Sequence, residues 1–434
     1  MRFESTRKEG SVDLDTALLS GLAPDGGLYV PTSLPQHPAS VFDGADSLQA
    51  IAEIYLQPFF KGSRLATSLP EIVAETFHFP MPLLSLAKET GHPVSVLELF
   101  HGPTAAFKDV GAGFLAACLT RLDDAPVDSP LTILVATSGD TGGAVASAFH
   151  RRDGVRVVVL FPKGKVSPRQ QHQLTCWGDN IVAAAVEGTF DDCQRMVKAA
   201  FVDDSMRREY RFSSANSINI GRLIPQSVYY AAASLTHYRA TGTTLSFIVP
   251  TGNLGNGLAA VLARACGLPI DEITFVSNAN RTVPDYFASG EYQPRDSIET
   301  LASAMDVGAP SNLERLRHLF GERDALLQRA LSAETVDDEA IRAQISRDAT
   351  RFAFAWCPHS ATAMHVWDHL PDSQKEKPHA VVATAHPAKF ETIVEPIIGR
   401  SVEIPESLER LLALPSEFAT IAPELDALAR VLRS

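Results

Sequence analysis

The chain has 434 residues, 45% of them hydrophobic and 21% charged, with a formal net charge of −13. At about 150 residues per domain the length allows two or three domains, and the composition is that of a globular protein. The negative balance excludes nucleic acid and anionic membrane surfaces as partners, because no global positive field would draw in a phosphate polymer.

The N-terminal MRFESTRKEG has no apolar h-region, and no apolar run of about 18 residues follows it, so neither a signal peptide nor a membrane span is expected. Turns dominate residues 1–92: APDGGLYVP, TSLPQHP and the prolines Pro80 and Pro82, around a helix expected at Ser47–Phe60. This predicts a small N-terminal unit ending near Gly91-His92-Pro93. Beyond it short apolar runs alternate with helices. Strands are expected at Val94–Phe100, Leu131–Thr137, Arg156–Phe161, Ile181–Val186, Leu245–Pro250, Ile273–Ser277 and Ala380–Thr384. The helices between them are Asp109–Leu122, an alanine-rich run to His150, SPRQQHQLT, Thr189–Phe201, Ile220–Tyr238 and Leu258–Cys266. Thr189 and Asp192 are spaced as a capping box. Such alternation predicts parallel βαβ units with helices on both faces of the sheets. Leu313–Trp356 reads as a charged helical cover whose stripe of Leu316, Leu319, Leu326, Leu327 and Leu331 faces the sheet. The cysteines Cys118, Cys176, Cys193, Cys266 and Cys357 are scattered without a CxxC, as in a protein of the reducing cytoplasm.

Chemistry concentrates in HGPTAAFKDVGAG, residues 101–113. Lys108 stands among Ala105, Ala106, Phe107, Val110 and glycines, at the start of a helix. Burial and the positive helix end both disfavour the ammonium, which lowers its pKa and frees the amine to attack a carbonyl. The other reading is a lysine whose stem covers apolar surface while its head stays in water. A nucleotide P-loop is ruled out, because Phe107 replaces the glycine and Asp109 the Ser/Thr of that motif.

Two glycine-rich turns follow strands and open helices. Thr251-Gly252-Asn253-Leu254-Gly255-Asn256-Gly257 offers free N–H groups and a positive dipole end, a geometry that binds phosphate. It is not GxGxxG and lacks the acidic residue about 20 positions on, so one phosphate monoester suits it better than a dinucleotide. A turn whose glycines are only conformational is the alternative. Ser138-Gly139-Asp140-Thr141-Gly142 can hold a carboxylate, or can be a plain capping turn. A reactive lysine, a monophosphate cradle and a carboxylate cradle together point to pyridoxal phosphate and an amino-acid substrate. His365 and His369 have metal-ligand spacing but no HExxH glutamate, so no metal is expected, and no GxSxG elbow occurs.

The chain resembles the threonine synthases of the fold-type II pyridoxal phosphate family over nearly its whole length. The motifs are STRKEG, GLAPDGGLYVP, LFHGPTAAFKD, ATSGDTGGAVASAF, NSINIGRL, VPTGNLGNG, SAMDVGAPSN, CPHSATA and TAHPAKF. The resemblance implies a tryptophan synthase β-like α/β fold with two open parallel-sheet domains, a small N-terminal domain and a helical insertion. The boundaries are 1–92 for the N-terminal domain, 93–113 with 220–434 for the large cofactor domain, and 114–219 for the small one. It implies conversion of O-phospho-L-homoserine and water to L-threonine and phosphate, by a monomer or homodimer. Lys108 would bear the cofactor as a Schiff base and act as the catalytic base. Gly252, Asn253, Leu254, Gly255 and Asn256 would hold its phosphate, and Thr384 would face its ring nitrogen. Asp140 falls beside the cofactor's 3-oxygen, where an aspartate is protonated, bridged by water or turned away. Ser138 and Thr141 would meet the substrate carboxylate, and Lys165, Asn216 and Arg222 the substrate phosphate. The rival readings are a phospho-lyase that releases 2-oxobutyrate and a non-catalytic relative that only binds the cofactor or an anion. Because STRKEG begins almost at Met1, activation by S-adenosylmethionine is not expected.

Overall fold

The computed structural model describes every residue except 9, 125–128, 353 and 434. Glu9 of the STRKEG motif therefore lies outside the described residues. The N-terminal unit is a three-stranded antiparallel sheet in the order Ser11–Asp13, Arg2–Ser5, Tyr29–Pro31. Helices Leu48–Phe60, capped by Ser47, and Leu69–Thr76 follow it.

The large sheet has six strands in the order Ser332–Thr335, Ile270–Ser277, Leu245–Pro250, His379–Ala383, Val94–Glu98, Leu83–Ser85. All pair in parallel except the last, which runs antiparallel at the edge. Alternation decides its two faces. Phe247, Val249, Ile273, Phe275, Ala380 and Val382 enter one core, with residues of helices Ile220–Thr241 and Gly255–Ala265. Ile248, Val276, Val381, Ala383, Val94 and Val96 enter another, with residues of helices Asp338–Arg351 and Pro358–Asp368. Burial on both sides is why these strands are continuous apolar runs.

The small sheet is wholly parallel, in the order Ala419–Ile421, Ile181–Val186, Val155–Pro162, Leu131–Ala136, Arg211–Ser213. Ile133, Val135, Val157 and Val159 face the same core as helices Lys108–Leu122 and Asp140–Phe149. Leu134, Val158 and Leu160 face Met196, Leu428 and Leu432 on the other side. The capping box of Thr189 and Asp192 is present at the start of Phe190–Val202.

Three details differ from the sequence reading. The segment Leu313–Trp356 is not helical throughout: Ser332–Thr335 forms the edge strand of the large sheet. Of its leucine stripe, Leu316, Leu327 and Leu331 are buried, Leu319 is half-buried and Leu326 is exposed. The span 220–434 does not stay with the large sheet, because Ala419–Ile421 pairs with Ile181–Val186 and helix Leu425–Arg433 covers the small sheet. Helix Lys108–Leu122 also runs unbroken across the boundary placed at 113. Among the described residues no helix is long and apolar enough to cross a membrane.

Candidate active site

Three neighbouring strands of the large sheet bring the site together. Val94–Glu98 leads into the loop that carries Lys108, Leu245–Pro250 into the second glycine turn, and His379–Ala383 lies between them and leads into Thr384. Adjacent strands are only about 4.8 Å apart, so their carboxyl ends form one crevice, the usual place for a ligand in an open α/β sheet.

The lysine loop is pinned to the strand beside it. Phe107 N–H donates to the Thr384 carbonyl at 2.8 Å, and His386 N–H donates to the Ala105 carbonyl at 3.0 Å. Ala105 adopts a left-handed φ of 54° to make this turn. Asp109 closes the loop from behind, accepting from Thr104 N–H at 2.9 Å and from the Thr104 hydroxyl at 2.5 Å. A Cβ on Gly102 would lie 2.5 Å from Asp109 Oδ2, which explains that glycine. Lys108 is thereby fixed as the first residue of its helix. Enclosure of its amine pushes the pKa down to about 8; Asp140 opposes the shift, while Arg222 and Lys389 add to it. Of the two readings of this lysine, the reactive amine is the one the surroundings support.

The first glycine turn puts a charge beside that amine. Asp140 is buried, and its Oδ1 meets Lys389 Nζ at 2.9 Å and accepts from Gln170 Nε2 at 3.0 Å. Burial works against its charge, but Lys389, Lys108 and His359 hold it below the usual carboxylate range. Asp140 is thus paired with Lys389, a partner its own stretch of sequence does not announce. Thr137 Oγ1 fastens the turn by accepting from Gly139 N–H at 3.0 Å and Gly142 N–H at 2.9 Å. The N–H groups of Ser138, Asp140 and Thr141 find no acceptor among the described residues, and the Ser138 and Thr141 hydroxyls are half-buried and unpaired there. That leaves a small anion cradle.

The second turn is a larger cradle. None of the N–H groups from Gly252 to Gly257 has an acceptor among the described residues, and helix Gly255–Ala265 has no side-chain cap. Its geometry is imposed from around it. Asn253 Nδ2 donates to Ser217 Oγ at 2.6 Å, Ser311 N–H donates to Asn253 Oδ1 at 2.6 Å, and Asn312 Nδ2 donates to the Asn253 carbonyl at 3.0 Å. Asn256 Oδ1 accepts from Tyr229 and Tyr230 at 2.6 and 2.8 Å. A Cβ on Gly252 would lie 2.7 Å from Met305 Cα, and one on Gly257 would lie 2.5 Å from the Phe275 ring. Six free N–H groups at a helix N-terminus suit one phosphate group. With an amine able to attack a carbonyl in the same crevice, the arrangement fits an aldehyde that carries a single phosphate.

Arg222 belongs here too. It is buried in the first turn of Ile220–Thr241, donates to the Ala215 carbonyl, and leaves Nε without an acceptor among the described residues. Burial lowers its pKa to about 10, against the pull of Asp109. Asn216 is half-buried, with no side-chain partner among the described residues. Lys165 is not gathered in. The turn at Pro162–Lys165 carries its side chain outward, where it meets Glu299 at 2.6 Å with 50% and 81% of the two side chains exposed. Thr384 is buried, its N–H donating to Ser360 Oγ at 3.0 Å.

Sequence reasoning missed Lys389, His359 and Arg315. His359 Nε2 accepts from Ala304 N–H at 3.0 Å, so Nδ1 carries the hydrogen and lacks a partner among the described residues; burial lowers its pKa to about 4. Arg315 is fully buried and donates to the carbonyls of Tyr29, Ser217 and Ile218. Lys389 and His359 lay in the quoted TAHPAKF and CPHSATA motifs, which were the available signal, whereas Arg315 lay in a segment read as mere cover.

Comparison with known proteins agrees with this geometry. Residues 75–387 match a family described as pyridoxal-phosphate dependent enzyme, 2–77 the threonine synthase N terminus, and 360–432 the threonine synthase C-terminal region. Threonine synthase of Escherichia coli strain K12 is 36% identical over 424 residues, covering 97% of this chain and 96% of that one. The crystal structure of threonine synthase from Escherichia coli superposes with a TM-score of 0.90 at 35% identity, over 100% of this chain and 99% of the other. A pyridoxal phosphate-bound threonine synthase structure from Brucella melitensis gives the same TM-score, identity and coverage.

Proposed function

The chain belongs to the threonine synthase family of pyridoxal phosphate-dependent enzymes, and from that premise we propose that it converts O-phospho-L-homoserine and water to L-threonine and phosphate, with Lys108 as the cofactor lysine. The observation that carries this reading is the enclosed Lys108 amine at a helix start, in one crevice with two uncapped helix N-termini.

When bound, pyridoxal phosphate supplies an electron sink for negative charge appearing on the substrate carbons. The chain's own residues do the rest. The N–H groups of Gly252, Asn253, Leu254, Gly255 and Asn256 hold the cofactor phosphate, and the Thr384 hydroxyl serves the ring nitrogen. Ser138 and Thr141, with their free N–H groups, orient the substrate carboxylate. The Lys108 amine, its pKa lowered to about 8, takes the α-carbon proton and returns it. Arg222 and Asn216 receive the substrate phosphate as it departs, offering donors where negative charge accumulates. Lys165 is left out of this set because its charge is already engaged at the surface. The five buried, free cysteines support a reducing compartment, the cytoplasm.

The test is spectroscopic and chemical. The purified protein with added cofactor should absorb in the near-visible, and phosphohomoserine should give threonine and phosphate in equal amounts. Release of 2-oxobutyrate instead would make it a phospho-lyase. A colourless, inactive protein would end the reading.

A further inference from the structure

Lys389 has no role in the scheme above, yet it is the most completely enclosed charge near Lys108. Its side chain is 0% exposed, and that of Asp140 is 4% exposed. The ammonium donates to the Thr104 carbonyl at 2.6 Å and meets Asp140 Oδ1 at 2.9 Å. Thr104 lies in the loop that carries Lys108; Asp140 begins the helix Asp140–Phe149 beside the small sheet. One ammonium therefore ties the lysine loop, the turn Pro387–Phe390 of its own segment and the first glycine turn together. A buried ion pair is a weak source of stability, since an apolar pair of equal volume avoids the desolvation cost. Space filling gives no reason for charges here.

The charges have a reason if they act on Lys108. The charges that bear on its nitrogen are Asp140 of helix Asp140–Phe149, which favours the proton, and Arg222 of helix Ile220–Thr241 and Lys389 of the Pro387–Phe390 turn, which oppose it. Asp140 in turn faces Lys389, Lys108 and His359 of helix Pro358–Asp368. Asp140 is the one anion in that set. Without it, the Lys108 nitrogen would meet only positive neighbours.

We propose that Lys389 is a positioning residue of the reaction centre: clamped to the Thr104 carbonyl, it holds Asp140 as an ionised carboxylate within reach of Lys108, and Asp140 favours the proton on the Lys108 nitrogen. The proposal rests on Lys108 being the cofactor lysine.

Two measurements test it. The first is a pH titration of the near-visible absorbance in the loaded protein. Asp140 favours the protonated nitrogen, so Asp140→Asn should lower the midpoint by one unit or more. Lys389 opposes that proton, so Asp140→Asn with Lys389→Met should bring the midpoint part of the way back up. The second is thermal unfolding of the cofactor-free protein. Lys389→Met alone leaves a carboxylate buried without its partner, so it should lower Tm more than the double variant does. If Lys389→Met does not fold while the double variant does, the clamp is supported in its strongest form. A midpoint unmoved by Asp140→Asn, a double variant no higher than Asp140→Asn, or a double variant less stable than Lys389→Met overturns the proposal. A wild-type protein with no near-visible band overturns the assignment of Lys108 and this proposal with it. A band whose midpoint ignores Asp140 overturns this proposal alone.

Discussion

The turn after Leu131–Ala136 and the turn after Leu245–Pro250 both leave a buried strand and enter a helix without a side-chain cap, yet different chemistry ties them down. The first is fastened by its own Thr137 hydroxyl and carries a charge, Asp140, bound to Lys389. Among the described residues the second is bound by neutral groups: Asn253, Asn312, Ser217 and Ser311, with Asn256 on two tyrosines. A cofactor phosphate keeps its charge throughout the cycle, so fixed N–H dipoles suffice for it. A nitrogen that gains and loses a proton needs a counter-charge whose own state is controlled. On the proposed assignment, the second turn would hold a charge still and the first would answer a changing one.

Four variants would break or sharpen this contrast. Lys108→Ala removes the amine that the proposed function places at the centre of both turns. Turnover should fall about a thousandfold or more and the near-visible band should vanish, while far-UV circular dichroism shows both turns and their helices folded. Arg222→Ala should lower kcat/KM for phosphohomoserine about ten- to a hundredfold, the worth of a charge-assisted pair. The cofactor band should persist, and wild-type kinetics would remove Arg222 from the substrate phosphate site. Gly252→Ala pushes a methyl towards the Met305 backbone. Overpacking of this kind costs about 1–3 kcal/mol, so cofactor Kd, followed by absorbance, should rise about tenfold. An unchanged Kd would mean that the neutral cradle is not rigid. Lys165→Ala lies outside both turns, and loss of its exposed pair with Glu299 should change kcat/KM about twofold or less. A large loss there would show that the pair opens to let Lys165 reach the substrate.

Local signals make much of this legible in the sequence. The glycine turns, the apolar setting of Lys108 and the Thr189–Asp192 capping box depend on residues adjacent in the chain, and each is where the pattern places it. The large parallel sheets followed from short apolar runs. What escaped depends on distant partners. Ser332–Thr335 is a short polar strand whose register is supplied by Thr274–Ser277, so nothing in its own composition separates it from the charged helices around it. Lys389 reads as an ordinary lysine until folding brings Asp140 and the Thr104 carbonyl to it. Lys165 depends on its surroundings in another way: it follows a strand end, but the turn at Gly164, with φ of 72°, leaves its side chain half exposed beside Glu299.

The pairing of Ala419–Ile421 with Ile181–Val186 has a consequence for synthesis. A ribosome delivers the four other strands of the small sheet long before this one. Until residues 419–433 emerge, Ile181–Val186 is an open edge with unpaired backbone groups, and Met196, Val158 and Leu160 lack the cover of Leu428 and Leu432. Such an edge is a template for pairing with a second chain. The nascent protein is therefore most exposed to aggregation just when both glycine turns and Lys108 have already been made, and the helix Leu425–Arg433 ends that interval.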